Sequence, residues 1–180
     1  MILKSITGEL VDYESQGLRR GGRKTTAADP LSTRTAEVYR NFIEAVNRKD
    51  LDAAARLVNP QRYRENRVGF THGFVGWEEA MISIRQVWKG LPNLLVELHN
   101  VLAAGDVALA CGTVRGTATG HLYGAPATKR SFEASFFDYV LLDDGLIVKR
   151  VQQADVLGQM RQLYGKAMGL VGLGAMLWRL

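Results

Sequence analysis

The sequence predicts an α+β fold in which three helices precede an antiparallel sheet and one further helix closes the chain. Between residues 32 and 91 apolar residues recur at helical spacing, and between residues 93 and 151 they recur at every second position. The 180 residues, 47% hydrophobic and 23% charged, suffice for one domain with its own core. Helices that are separated from an antiparallel sheet are typical of α+β domains.

Three helices are predicted first. The segment "STRTAEVYRNFIEAVN" begins with Ser32 as its N-cap, "LDAAARLV" ends before Pro60, and "GWEEAMISIRQVWKGL" ends at Gly90. The positions expected to be buried are Tyr39, Phe42, Ile43 and Val46 in the first helix and Ala80, Met81, Ile84, Val87 and Trp88 in the third.

Two hairpins follow, with turns at residues 104–106 and 143–145. A final helix begins near Asp155. Because three helices must cover one face, we expect the sheet to curve around them and to leave a concave space.

Segments of different character flank this domain, which spans residues 32–166. Residues 1–31 form an arm with "RRGGRK" at 19–24, which is most simply a solvated or partner-docked charge run. Residues 167–180 form a nearly wholly apolar tail, too short to span a bilayer. We expect the tail to close the concave space or to pack on a second subunit.

Composition narrows the classes of function. The net charge of +5 is spread along the chain, which does not indicate nucleic-acid binding. A single cysteine, Cys111, and the lack of a secretory signal favour a cytoplasmic protein without membrane attachment. Glu97 and His99 alternate on one strand without a third ligand at metal spacing, so no metal site is expected.

A "GDV" turn, a "GAPATKR" connection, a "DDG" turn and a closing "DVLGQMRQLYG" occur in that order. Over about Thr35 to Gly165 this order resembles the SnoaL-like polyketide cyclase family. The resemblance implies a nuclear-transport-factor-2-like cone, a homodimer formed through the convex sheet face, and a hydrophobic small-molecule substrate. Asp155 matches the family's general acid/base of an aldol cyclisation, while histidines common in the family are replaced by Glu65, Ala118 and Asp138.

Two carboxylates are the candidate catalytic groups. Asp155 has the position of a helix cap, and it becomes a base only if its side chain turns into an apolar cavity. Asp138 alternates with apolar residues on its strand, so it either pairs with Arg115 or Arg150 or lines the pocket. If Asp138 and Asp155 face each other, one is protonated at neutral pH and the site holds both an acid and a base.

Further residues are candidates for substrate binding. Glu65, between Arg64 and Arg67, is most simply an exposed ion pair, with a pocket contact as the alternative. The other candidates are Tyr63, Trp88, Arg115 and Phe136, of which the aromatic residues are either pocket walls or core.

Three functions remain open from the sequence. The first is a cofactor-independent acid/base enzyme in which Asp155 removes a proton beside a carbonyl and a protonated Asp138 holds the enolate. The second is water activation by Asp138 and Asp155, as in epoxide hydrolases of this fold. The third is a non-catalytic cone that binds a ligand or a partner.

Overall fold

The computed structural model describes residues 29–68, 73–122 and 125–165. In chain order its elements are α1 (Pro30–Asn47), α2 (Leu51–Ala55), β1 (Arg64–Val68), α3 (Trp77–Gly90), β2 (Leu95–Ala104), β3 (Val107–Thr117), β4 (Ser131–Asp143), β5 (Leu146–Ala154) and α4 (residues 156–165). The apolar tail and nearly all of the basic arm lie outside the described residues. Within the described ranges, no helix is long and apolar enough to cross a membrane.

The strands form one curved mixed sheet in the order β1-β5-β4-β3-β2. The two predicted hairpins are confirmed, since β2 pairs with β3 and β4 with β5 in antiparallel register. Residues 64–68 were not predicted to form a strand, but they form β1, which pairs in parallel with β5. The strand lacks the usual apolar alternation, because its inward positions are the charged residues Glu65 and Arg67.

Helix α1 begins before the predicted cap. Asp29 is the N-cap, and its Oδ1 accepts a hydrogen bond from the backbone N–H of Ser32 at 2.9 Å. Ser32 lies inside the first turn, where its hydroxyl also accepts from the N–H of Gly105 at 2.9 Å. The prediction that Ser32 caps the helix was therefore wrong, because Pro30 already occupies the first helical turn.

The predicted apolar faces agree with the structure in α1 and only partly in α3. Tyr39, Phe42, Ile43 and Val46 of α1 are buried against the sheet. In α3, Ala80 and Ile84 are buried, whereas the other three predicted positions, among them Trp88, are half-buried. Helix α2 ends at Ala55, short of the predicted end.

Two apolar clusters make up the core. The larger lies between α1 and the inner sheet face and includes Tyr39, Phe42, Phe136 and Val140. The smaller packs α4 through Leu163 against the end of the sheet. A cavity remains where the two clusters meet.

Candidate functional site

A cavity of about 100 Å³ lies between α1, α3, the inner sheet face and α4. Most of its wall is apolar, formed by Ile43, Val46, Ile84, Val87, Trp88, Leu91, Leu94, Val96, Val114, Leu122 and Ala154. One side is polar and is formed by Arg67, Arg150, Gln152 and Gln159. An apolar pocket with a few convergent polar groups is the usual form of a small-molecule site.

Three elements position the polar side of the cavity. Arg67 comes from β1 and is the register partner of Gln152 on β5, two residues beyond Arg150. Gln159 comes from the first turn of α4 and is 7% exposed. Guanidinium and amide groups on one wall offer hydrogen-bond donors to an oxygen atom of a ligand.

A buried network holds the guanidinium of Arg150. Its Nε and Nη2 donate to Oδ2 of Asp138 at 2.9 and 2.8 Å, and its Nη1 donates to Oε1 of Glu65 at 3.0 Å. Nε of Arg67 lies 3.2 Å from the same oxygen of Glu65. All four side chains are at least nine-tenths buried, so each charge has an opposite charge in contact.

Two tyrosines complete the network. The hydroxyl of Tyr39 donates to Oδ2 of Asp138, and that of Tyr63 donates to Oε2 of Glu65 at 3.2 Å. Burial raises the pKa of both tyrosines well above its ordinary value, and the neighbouring carboxylates raise it further. Burial acts to lower the pKa of Arg150, but the electrostatic effects of Asp138, Glu65 and the two tyrosines together outweigh this and raise it well above its ordinary value, so Arg150 stays charged.

Asp155 caps helix α4 with its side chain. Its Oδ1 accepts from the backbone N–H of Gly158 at 2.8 Å, and its carboxylate is exposed. The residues around it, Ala154 and Gln159, line the cavity. Asp155 itself does not line the cavity; it lies in the chain between two residues that do, with its carboxylate in the cap position.

The structure does not bring the two predicted carboxylates together. Asp138 is 2% exposed and bound by Tyr39 and Arg150, whereas Asp155 is exposed and bound by the N–H of Gly158. Of the alternatives for Asp138, the pairing with a cation is the one observed, and the cation is Arg150.

The predicted binding residues have different locations. Trp88 lines the cavity, while Tyr63 and Phe136 are fully buried in the core beside it. Glu65 is 1% exposed, so the expectation of an exposed ion pair was wrong. Arg115 lies 3.5 Å from Glu97 in a half-exposed pair and borders a separate open groove.

Sequence reasoning missed three polar residues of the cavity wall, Arg67, Gln152 and Gln159. The available signal was the inward alternation of Arg150, Gln152 and Ala154 on a strand that would otherwise carry apolar residues there. In the described part of the chain, no group of three His, Cys, Asp or Glu side chains could hold a metal ion.

The comparisons with known proteins agree with this architecture. A family model described as SnoaL-like polyketide cyclase matches residues 36–163. No curated protein matches the chain.

Solved structures share the fold along nearly their whole length. TsrD from Streptomyces laurentii is 27% identical, with 74% of this chain and 97% of that chain covered and a TM-score of 0.65. A proposed SnoaL-like polyketide cyclase from Jannaschia sp. CCS1 is 20% identical, with 76% and 96% covered and a TM-score of 0.69. An LEH-like epoxide hydrolase from M. tuberculosis is 19% identical, with 81% and 98% covered and a TM-score of 0.60. At these identities the last two show the fold alone, which confirms the predicted cone.

Proposed function

We propose that this chain, which belongs to the SnoaL-like polyketide cyclase family, is a cofactor-independent acid/base enzyme of the aldol cyclase or isomerase type. Its substrate is a hydrophobic, carbonyl-bearing small molecule. The observation that supports this is the apolar cavity with Arg67, Arg150, Gln152 and Gln159 on one side, together with Asp155 directly after the lining residue Ala154.

The cavity orients the substrate in this proposal. Apolar atoms contact Ile43, Val87 and Trp88, and the carbonyl oxygen faces the guanidinium and amide donors. Asp138 and Glu65 fix Arg150 from behind, so its donors need no rearrangement when negative charge develops on the oxygen. The volume of about 100 Å³ is below the ~300–1,000 Å³ usual for small-molecule sites. A substrate with fused rings therefore extends through the opening, toward the side chain of Asp155.

Asp155 is the proposed proton carrier. It takes a proton from the carbon next to the carbonyl, and the electron pair of the broken C–H bond forms the enolate. The enolate carbon then bonds to a second carbonyl carbon, and the resulting alkoxide takes the proton back from Asp155. In an isomerisation the proton returns to a different carbon instead. Either step requires the carboxylate to leave the N–H of Gly158 and turn toward the cavity.

The test is Asp155→Asn, because asparagine caps helices as well as aspartate does but cannot take up the proton. Exchange of α-protons of enolisable aryl ketones in D2O, followed by NMR, should slow by about 10²–10⁴-fold while ketone binding is kept. The matched control is Asp144→Asn, an exposed acid in the β4–β5 turn, which should leave the exchange unchanged. Exchange by Asp155→Asn at the rate of the unaltered protein would contradict the proposal. Binding without any exchange in the unaltered protein would favour a binding cone in which Asp155 is only a cap.

Water activation is the second candidate, and the arrangement around Arg150 favours it. Arg150 bridges the carboxylates of Glu65 and Asp138, and Oδ1 of Asp138 is buried without a hydrogen-bond partner among the described residues. Such an oxygen can accept the proton of a water whose oxygen bonds to an epoxide carbon as the C–O bond breaks, and the alkoxide that forms takes a proton back from Asp138 to give the diol. With styrene oxide in ¹⁸O-labelled water, labelled diol that is lost in Asp138→Asn and kept in Asp155→Asn would select this candidate.

We also propose a homodimer formed through the outer sheet face. Leu102 and Leu109, which pair across β2 and β3, are 71% and 54% exposed, and Phe137 of β4 is 63% exposed. These side chains support an apolar contact surface. Sedimentation equilibrium should show a dimer that Leu109→Lys dissociates, and a monomeric unaltered protein would contradict the proposal.

A further inference from the structure

We propose that the cavity selects neutral ligands with a hydrogen-bond acceptor and rejects ligands that carry a carboxylate or phosphate group. The inference rests on the proposed function only in that the cavity is taken as the ligand site. It concerns the charge balance of the buried network and not the catalytic step.

The charges behind the polar wall cancel. Arg67 and Arg150 supply two positive charges, and Glu65 and Asp138 supply two negative charges. Each of these side chains is no more than 8% exposed, so solvent screens them poorly.

A ligand anion would find no uncompensated cation in this wall. Leaving water costs an anion its hydration, and a buried site compensates for that only through charge that is not already matched. Here Glu65 and Asp138 already contact the guanidinium of Arg150, and Glu65 also contacts that of Arg67. A bound carboxylate would place a third negative charge beside two buried ones.

A carbonyl group has the opposite requirements. It needs N–H donors at one end of an apolar space and no net positive charge. The amides of Gln152 and Gln159 add uncharged donors to the guanidinium groups on the same wall. Ketones, lactones and quinones therefore match the wall, and the corresponding acids do not.

The test compares acetophenone with benzoate, which have nearly the same shape. Acetophenone carries a methyl group where benzoate carries a charged oxygen. Titrations of the full chain at neutral pH, followed by the NMR shifts of cavity-lining amides such as that of Ala154, give both dissociation constants. Acetophenone should bind at least about tenfold more tightly than benzoate.

Variants that alter the charge balance distinguish the effect of the matched charges from the general preference of apolar cavities for uncharged ligands. Glu65→Gln keeps the shape and leaves one unmatched positive charge, so the preference for acetophenone should fall at least about fivefold. Gln152→Lys adds a cation to the cavity wall, leaves the four charged side chains in place and should act in the same direction. The control is Glu97→Gln, which removes an exposed partner of Arg115 away from the cavity and should leave the preference unchanged.

Each outcome decides between the two proposals. Equal affinities in the unaltered protein, or a preference that neither Glu65→Gln nor Gln152→Lys changes, would overturn the neutral-ligand proposal alone. If Glu65→Gln fails to fold, the result with Gln152→Lys is decisive. The expected preference without any α-proton exchange would leave this proposal standing and remove the aldol cyclase or isomerase proposal. If neither probe shifts the cavity-lining amides, the cavity is not a ligand site and both proposals fail.

Discussion

Arg150 directs two donors at one oxygen of Asp138, with Nε at 2.9 Å and Nη2 at 2.8 Å from Oδ2. The two residues lie on neighbouring strands, since Val140 of β4 is the register partner of Arg150. Glu65 on β1 accepts from the remaining guanidinium nitrogen, so one arginine ties three strands together inside the core. Loss of either carboxylate leaves a buried charge only partly compensated.

Asp138→Ala should therefore lower the free energy of unfolding by about 3–5 kcal/mol. Urea denaturation followed by circular dichroism measures this directly. Glu97→Ala is the control, because its pair with Arg115 is half-exposed and should contribute about 0–1 kcal/mol. A loss below about 1 kcal/mol for Asp138→Ala would show that the buried pair is compensated elsewhere.

The sequence was sufficient to predict Asp138 but not its partners on β1. Regular alternation along β4 placed Asp138 on the inner face, where a carboxylate needs a cation. Strand β1 has charged residues at its inward positions and pairs in parallel with β5, 85 residues later in the chain. Neither periodicity nor a local turn reports such a pairing, so Glu65 was assigned to the surface.

The hairpins were predictable because their strands are adjacent in the chain, whereas the partner of β1 is distant. Their turns contain Gly105 and Gly145 at φ values of +58° and +76°, which glycine adopts readily, so the register follows from adjacent residues. Asp155 shows the limit of this reasoning. The same sequence fits a cap and a base, and only the position of the side chain distinguishes them.

The capping role of Asp155 predicts a stability effect that is separate from catalysis. Asp155→Ala removes the acceptor for the N–H of Gly158 and should cost about 1 kcal/mol, whereas Asp155→Asn should cost little. Urea unfolding of both variants beside the unaltered protein tests this. Equal stability of Asp155→Ala and Asp155→Asn would mean that the carboxylate does not cap α4 in solution.

Gly158 allows Asp155 to occupy the cap position. A Cβ atom at residue 158 would lie 2.7 Å from Cγ of Asp155 and closer still to Oδ2, so Gly158→Ala should displace the carboxylate from the cap. In the Asp155→Ala background the same change should stabilise the protein by about 1 kcal/mol, because alanine favours helix and no longer meets a carboxylate. A double-mutant cycle measures the difference. Identical effects of Gly158→Ala in both backgrounds would contradict the contact.

Tyr39 and Tyr63 predict how stability depends on alkaline pH. Burial raises the pKa of both above its unfolded value near 10, so the folded protein keeps protons that the unfolded chain releases. Their contribution to the free energy of unfolding is complete below about pH 10. It is lost as pH rises above this value, at about 1.4 kcal/mol per pH unit for each tyrosine. The free energy of unfolding, measured in urea between pH 8 and about 11, should thus fall less steeply with pH for the double variant Tyr39→Phe/Tyr63→Phe than for the unaltered protein. Absorbance at the tyrosinate band should show these two tyrosines ionising only as the chain unfolds, and ionisation of both in the folded protein near pH 10 would contradict their burial in the network.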